Sequence, residues 1–205
     1  MPYYKKLKLL FIHIPKTGGT VIETAIKTHC EETLYTSYKN DILPYPFCDY
    51  SLQHQFYSTI YKYRELLNVN FDNIKVFTVV RNPYDRVISD LLFLKIINKN
   101  TTADNVYYAI KNNYINHKKI DNHHEPQYKY LVDENQNLIS NIRIFNTETL
   151  NENNDKLNEY IGINIDIKKN DCNKDYTKYL NIESINLINE MYKKDFELFG
   201  YTLIT

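Results

Sequence analysis

Short apolar runs alternate along the chain with segments whose apolar residues recur roughly every three or four positions. The runs at Leu7–Ile14 and Lys75–Val80, and the segment NIRIFN at 141–146, predict buried β-strands. Helices are predicted at Thr20–His29, Ser51–Leu67, Pro83–Ile97, Thr102–Asn116, Glu148–Tyr160 and Glu183–Phe199. Because strands that alternate with helices are typical of α/β proteins, we predict a three-layer fold with a central, mainly parallel sheet flanked by helices.

The segments between these elements are predicted to be loops. Residues 31–50 contain prolines and tyrosines without a sustained period, so an irregular segment is expected there. Residues 121–141 combine a His- and Pro-rich loop with two short β-like pieces around a polar turn. Gly162 and Gly200 are expected to end the last two helices. Since the alternation continues past any plausible split point, we predict a single domain over residues 1–205.

The charge balance excludes a globally basic protein. The chain has 25 Lys+Arg and 25 Asp+Glu, which gives a formal net charge of zero. Nucleic acid and strongly anionic polymers are therefore not expected as main partners, although a local basic site stays possible.

The cysteines and the N-terminus bear on the cellular compartment. Cys30, Cys48 and Cys172 form neither a CxxC pair nor a zinc spacing, and are interpreted as buried or idle thiols in a reducing compartment. The apolar run before His13 is too short for a signal peptide or a membrane span. We therefore predict a soluble, cytoplasmic chain, whose oligomeric state the sequence leaves open.

The segment PKTGGT, residues 15–20, joins the first strand to the first helix and predicts an anion site. Amides at a helix N-terminus, the small Gly18 and Gly19, the ammonium group of Lys16 and the hydroxyls of Thr17 and Thr20 suit a phosphate or sulfate. The lysine precedes the glycines, so this is not a Walker A loop. The alternative is a tight turn that happens to contain a lysine.

A second candidate anion site lies at the end of the second long strand. Arg81 follows that strand directly, and Ser89 lies eight residues on, in the next helix. A guanidinium and a hydroxyl can hold a phosphate together. The alternative for Arg81 is a purely structural role. The alternative for Asp85 and Arg86 is that they form ordinary surface ion pairs. Two anion sites at two strand ends suit a ligand with two separate anionic groups.

Both segments resemble the cofactor signatures of the sulfotransferase family, in particular its carbohydrate branch with the heparan 2-O-sulfotransferase-like enzymes. FIHIPKTGGTVIE (11–23) resembles the loop that binds the 5′-phosphosulfate of 3′-phosphoadenosine 5′-phosphosulfate (PAPS). VFTVVRNPYDRVIS (76–89) resembles the segment that binds its 3′-phosphate. The similarity extends from about Leu9 to Tyr201, with segments 124–150 and 192–202 also similar, while 31–53 and 98–122 match nothing in the family pattern.

The resemblance implies a fold, a reaction and roles for residues. The fold would be P-loop-like, with PAPS as co-substrate, 3′-phosphoadenosine 5′-phosphate (PAP) as product and no metal. The 5′-phosphosulfate would be held by Lys16, Thr17, Gly18, Gly19 and Thr20, and the 3′-phosphate by Arg81 and Ser89. Lys16 would also neutralise charge on the bridging oxygen as its bond to sulfur breaks. The acceptor would be a hydroxyl group, with a carbohydrate as its expected carrier.

Transfer to an alcohol requires a general base, and histidine is the usual base near neutral pH. We predict His54 because it lies between the two anion motifs, where the family places its base; the alternative is a merely structural role. His13 is expected to be packed in the core and His29 to cap the first helix. His123 and His124 either line the acceptor cleft or have no role, and their grouping with the neighbouring Glu125 does not predict a metal site. Lys174 and Tyr176 are weaker candidates for nucleotide contact.

Two other functions remain open at this point. A P-loop kinase or NTPase would need a metal-binding Ser/Thr and a Walker B carboxylate, but the strand at 75–80 ends in Arg81. A non-catalytic PAP-binding relative would keep the anion sites without the chemistry.

Overall fold

A four-stranded sheet forms the centre of the molecule. The computed structural model describes residues 2–30, 45–47, 49–115, 121–167 and 176–205. Its strands are β1 (Tyr3–Tyr4), β2 (Leu9–Ile12), β3 (Lys75–Val80) and β4 (Ile142–Asn146), in that spatial order. β1 is antiparallel to β2, whereas β2, β3 and β4 are parallel to one another. The predicted, mainly parallel sheet is confirmed.

The strands β2 and β3 are buried on both faces, which explains why they are nearly continuous apolar runs. Side chains alternate between the two faces of a strand. Leu10 and Ile12 of β2 therefore belong to one apolar cluster, and Leu9 and Phe11 to another; all four are fully buried.

Helices cover each face and give the three layers. α1 (Gly19–Lys27) and α5 (Asn154–Ile161) cover one face with the buried side chains Ile22, Ile26, Leu157 and Ile161. α2 (Tyr57–Lys62) and a 3-10 turn at Gln127–Leu131 cover the other through Ile60, Tyr130 and Leu131. The predicted three-layer architecture is thus confirmed.

Four further helices pack around an apolar cluster of their own. These are α3 (Pro83–Phe93), α4 (Ala103–Ile110), α6 (Ile182–Met191) and α7 (Lys193–Phe199). Their buried contacts include Val87, Leu91, Val106, Ile188 and Phe196. α3 begins with Pro83 at its first turn, where the Asn82 side chain accepts a hydrogen bond from the Tyr84 amide.

Three predicted helices differ from the structure in extent. Within 51–67, a 3-10 turn at Leu52–His54 is separated from α2 by the extended residues Gln55 and Phe56. Within 183–199, the helix breaks at Tyr192 into α6 and α7. Within 148–160, a 3-10 turn at Thr147–Thr149 precedes α5. Apolar period alone does not mark such breaks, because it continues across them.

The other boundaries shift by a few residues. α3 ends at Phe93 instead of Ile97, and α4 ends at Ile110 and continues as a π-helical turn to Ile115. The first predicted β-like piece forms the 3-10 turn, and an isolated bridge joins Val132 to Leu138. Most of 31–50 lies outside the described residues. Both predicted glycine ends are confirmed, with left-handed backbone at Gly162 and Gly200.

None of the described helices has the length and apolar content needed to cross a membrane.

Candidate cofactor and catalytic site

The two predicted anion segments meet at one edge of the sheet. β2 and β3 are parallel neighbours, so their carboxyl ends lie side by side. Arg81 Nη1 donates a hydrogen bond of 3.3 Å to the carbonyl oxygen of Lys16. The hydroxyl of Thr147, just past β4, lies 2.8 Å from the Thr17 carbonyl and 3.0 Å from the Val80 carbonyl. Both segments are therefore held at the same place by direct contacts.

The first segment turns through left-handed backbone before α1 begins. Lys16 has φ 66° and Gly18, at the N-cap of α1, has φ 87°. This conformation favours glycine at position 18. The Thr17 hydroxyl is fully buried and donates to the Ile14 carbonyl, so it holds the turn, whereas Thr20 is exposed.

Gly19 has a neighbour that the sequence did not indicate. A Cβ atom placed at Gly19 would lie 2.4 Å from two atoms of the His13 ring. Glycine here allows the helix backbone to approach His13, in addition to the predicted role of leaving room for an anion.

The Lys16 ammonium group lies over an aromatic ring. Its Nζ is 3.9 Å from the centroid of the Phe93 ring, which is a cation–π contact. Burial lowers the pKa of Lys16, the nearby Asp90 carboxylate opposes that change, and the Arg81 charge adds to it. Lys16, Arg81 and Asp90 thus share one electrostatic environment.

Arg81 is buried and carries an unused donor. Its side chain contacts the Lys16 carbonyl, and its Cζ lies 5.4 Å from the centroid of the Tyr176 ring. Among the residues that the structure describes, Arg81 Nε finds no hydrogen-bond acceptor. A buried donor without an acceptor is costly, so this N–H favours an anionic ligand beside it. Ser89 lies on α3 and is partly exposed, and its role in anion binding stays a prediction.

The interpretation of Arg86 as a surface residue is wrong. Arg86 is 2% exposed and donates to the carbonyl oxygens of Pro15 (3.0 Å), Glu125 (2.9 Å) and His123 (2.7 Å). Its planar fork of donors joins the first anion segment to the His-rich loop at 121–127.

His54 is buried and paired with a carboxylate. Its Nδ1 lies 2.7 Å from Asp121 Oδ2. Asp121 also accepts hydrogen bonds of 2.6 Å from the backbone N–H and the hydroxyl of Ser51. Burial lowers the pKa of His54 to about 4, assisted by His13 and His123 and opposed by Asp121. The ring is therefore neutral near pH 7, and a proton on Nδ1 shared with Asp121 leaves the Nε2 lone pair available.

Two further histidines pack against His54. The ring of His13 meets it edge to face at 5.3 Å between centroids, and the ring of His123 does so at 4.9 Å. His13 Nδ1 contacts Glu23, and His123 Nδ1 lies 2.6 Å from Asp90 Oδ1. The expectation that His13 is packed is confirmed, and its ring lies against the predicted base.

Asp90 is the buried centre of a second polar network. Besides His123, it accepts a 2.8 Å hydrogen bond from the Tyr114 hydroxyl and lies 3.4 Å from His124 Nε2. Burial would raise the pKa of Asp90, but the hydrogen bonds from His123 and His124 hold it well below its usual range. Sequence reasoning missed Asp90 and Asp121. The only local signal was their position near candidate residues. Asp90 follows Ser89 directly, and Asp121 lies two residues before His123.

One group of side chains has the spacing to hold a metal ion within the described ranges. His54, Asp121 and His123 each offer a ligand atom within 4.8 Å of the others. This set differs from the neighbouring residues His123, His124 and Glu125, whose grouping in the sequence does not predict a metal site. Hydrogen bonds to Asp121 and Asp90 already engage both rings.

The remaining candidates lie outside this cluster. His29 follows α1, with Nδ1 2.9 Å from the Thr28 hydroxyl and 3.3 Å from the Ala25 carbonyl, as expected for a helix end. Cys30 is partly buried, and burial raises the pKa of its thiol. Cys48, Cys172 and Lys174 fall outside the described residues.

A cavity of about 640 Å³ opens beside the histidines. Its wall is rich in aromatic rings and includes Tyr45, Tyr50, Phe56, Tyr63, Tyr114 and Tyr192. Asn122 and His124 belong to the same wall, and the Asn122 side-chain amide donates to the His54 carbonyl oxygen. The cavity therefore adjoins the segment that carries His54, through Gln55 and Asn122 of its wall.

The family follows from comparison with known proteins. A family model described as "Sulfotransferase family" matches residues 3–202, which is nearly the whole chain. The chain therefore belongs to the sulfotransferase family, and the predicted family is confirmed. Comparison with curated proteins and with solved structures gave no significant match.

Proposed function

We propose that this sulfotransferase moves the sulfuryl group from PAPS to a hydroxyl of a carbohydrate acceptor. Family membership supports sulfuryl transfer in general. The observation that carries the cofactor assignment is the pair of joined anion segments, with the unpaired, buried Arg81 Nε beside the Lys16 loop. This arrangement suits a nucleotide with anionic groups at two positions.

The residues proposed to hold PAPS are those that the family resemblance implies. The turn from Lys16 to Thr20 presents the α1 N-terminus and an ammonium group to the 5′-phosphosulfate. Arg81 and Ser89 would hold the 3′-phosphate. Bound PAPS supplies an activated sulfuryl group, and Lys16 supplies positive charge where the leaving phosphate develops negative charge.

His54 is the proposed general base. With Nδ1 hydrogen-bonded to Asp121, Nε2 can take the proton of the acceptor hydroxyl, and Asp121 stabilises the imidazolium that results. Asp121 itself is fixed by Ser51. The aromatic cavity next to the segment that carries His54 supports a carbohydrate as acceptor, because tyrosine rings offer apolar faces together with hydroxyl groups.

Nucleotide binding tests the cofactor directly. We expect PAP to raise the melting temperature in the presence of EDTA, while ADP and GTP raise it far less, because only PAP carries the 3′-phosphate that Arg81 would bind. Thermal unfolding at matched saturating concentrations measures the difference. No shift with PAP would contradict the proposal, and magnesium-dependent ATP turnover would favour a P-loop NTPase instead.

A further inference from the structure

The backbone of Arg81 is held by the side chain of one buried residue. Gln127 is fully buried, and its Oε1 accepts a hydrogen bond of 2.9 Å from the Arg81 backbone N–H. Its Nε2 donates a hydrogen bond of 2.8 Å to the Arg81 backbone carbonyl. The β3–β4 pairing ends at Val80, so this side-chain amide takes the place of a neighbouring strand at the next residue. We call this pair of bonds the Gln127 clamp.

A carboxylate on α7 fixes Gln127 in turn. Asp195 is fully buried, and its Oδ2 accepts a 2.8 Å hydrogen bond from the Gln127 backbone N–H. Its Oδ1 accepts a 2.9 Å hydrogen bond from the Tyr128 N–H. Charged acceptors make the stronger class of hydrogen bond. A continuous path therefore runs from α7 through Gln127 to the end of β3.

We propose that Gln127 is a positioning residue for the 3′-phosphate, acting through Arg81. This inference rests on the proposed function. The guanidinium Nε of Arg81 is buried without an acceptor among the described residues. Its direction is set by the Nη1 contact with the Lys16 carbonyl together with the place where the backbone is held. Gln127 fixes both polar groups of that backbone. The clamp thereby sets the preference for nucleotides with a 3′-phosphate over those without it.

The substitution Gln127→Met tests the clamp at nearly constant volume. It removes both hydrogen bonds and places an apolar side chain of similar length in the core. We expect the affinity for PAP to fall about 10- to 100-fold and that for 5′-AMP, which lacks the 3′-phosphate, to change less than about twofold. Calorimetric titration of both nucleotides measures the two affinities. A merely structural role would weaken both equally.

A matched control is available at Gln55. It is also buried, and its amide donates a 3.0 Å hydrogen bond to the Ser51 carbonyl, on the segment that carries His54. Gln55→Met should retain the wild-type preference for PAP over 5′-AMP. Asp195→Asn, which removes one of the two carboxylate acceptors behind Gln127, should show the same selective loss as Gln127→Met. Asp195→Asn therefore serves as the test of the clamp if Gln127→Met fails to fold.

The outcomes separate this inference from the proposed function. Gln127→Met with the wild-type preference, or with equal losses for both nucleotides, would overturn the clamp's role. A wild-type protein that does not prefer PAP would contradict the proposed function instead. Hydrogen exchange of the Arg81 amide gives a nucleotide-free readout, which should accelerate in Gln127→Met and not in Gln55→Met. Unchanged exchange would overturn the clamp itself.

Discussion

At the scale of single residues, the site depends on carboxylates that orient histidines. His54, His123 and His13 each direct Nδ1 toward a carboxylate, of Asp121, Asp90 and Glu23 respectively. The sequence singles out His54 by its place between two motifs, and its role as the base stays a prediction. It could not predict Asp121, because 67 residues separate the two partners and only the fold brings them together.

Removal of the base should separate binding from chemistry. His54→Ala is expected to retain PAP affinity and lose transfer by about 10²- to 10⁴-fold, the usual contribution of general base catalysis. Asp121→Asn should retain PAP affinity and lose less of the transfer rate than His54→Ala does. The Nε2 atom stays in place, while the ring loses the charge that orients it. Initial rates with PAPS and titration with PAP measure both. His29→Ala, at the exposed end of α1, is the control, and wild-type transfer by His54→Ala would exclude His54 as the base.

The pH dependence of transfer should reflect the burial of His54. Its pKa is lowered to about 4, so the base is neutral above that value and protonated, hence inactive, below it. The profile of kcat/KM should therefore be flat from neutral pH downwards and fall only as pH approaches about 4. Asp121 raises this pKa, whereas His13 and His123 lower it, so Asp121→Asn should move the fall to lower pH. Circular dichroism at each pH checks that the fold persists, and a fall centred near the ordinary histidine pKa of about 6.5 would contradict the assignment.

At the scale of elements, the strand ends carry the site. β2 and β3 were predictable because strands buried on both faces leave nearly continuous apolar runs. The break at Tyr192 between α6 and α7 was not, because neither glycine nor proline marks it and the apolar period continues across it. The requirement for glycine at position 19 could not be predicted either, because His13, the residue that its backbone approaches, lies on the other side of the loop.

The contact between α1 and β2 can be tested at Gly19. Gly19→Ala should lower the free energy of unfolding by about 1–3 kcal/mol, because its Cβ would overlap the His13 ring. Urea unfolding measures the change. In a His13→Ala background, Gly19→Ala should lower the free energy of unfolding by less, because the ring is gone. The effects of the two substitutions on that free energy should therefore be non-additive.

Gly200→Ala is the control for that experiment. Gly200 has left-handed backbone and no atom near an added Cβ, so its cost of about 1–2 kcal/mol comes from strain alone. That cost should not depend on His13. Additive effects of Gly19→Ala and His13→Ala would show that the two residues do not press on each other.

At the scale of the whole molecule, three layers bring distant segments to one edge of the sheet. The α/β class and the family were predictable because both are encoded in local patterns, the apolar period and the two anion motifs. The cavity next to the segment that carries His54 was not predictable, because its wall combines Tyr45, Phe56, Tyr114 and Tyr192, which are far apart in the sequence. A net charge of zero coexists with a locally basic pair, Lys16 and Arg81, so the overall charge does not describe the site.

Sulfuryl transfer is measured most directly with radiolabelled PAPS in the presence of EDTA, on one panel of glycans and one of non-carbohydrate alcohols. We expect label on at least one glycan with the wild-type protein, and a loss of about 10²-fold or more with His54→Ala. Label on non-carbohydrate hydroxyl acceptors alone would contradict the carbohydrate assignment. A protein that binds PAP but labels no acceptor of either class would contradict catalysis.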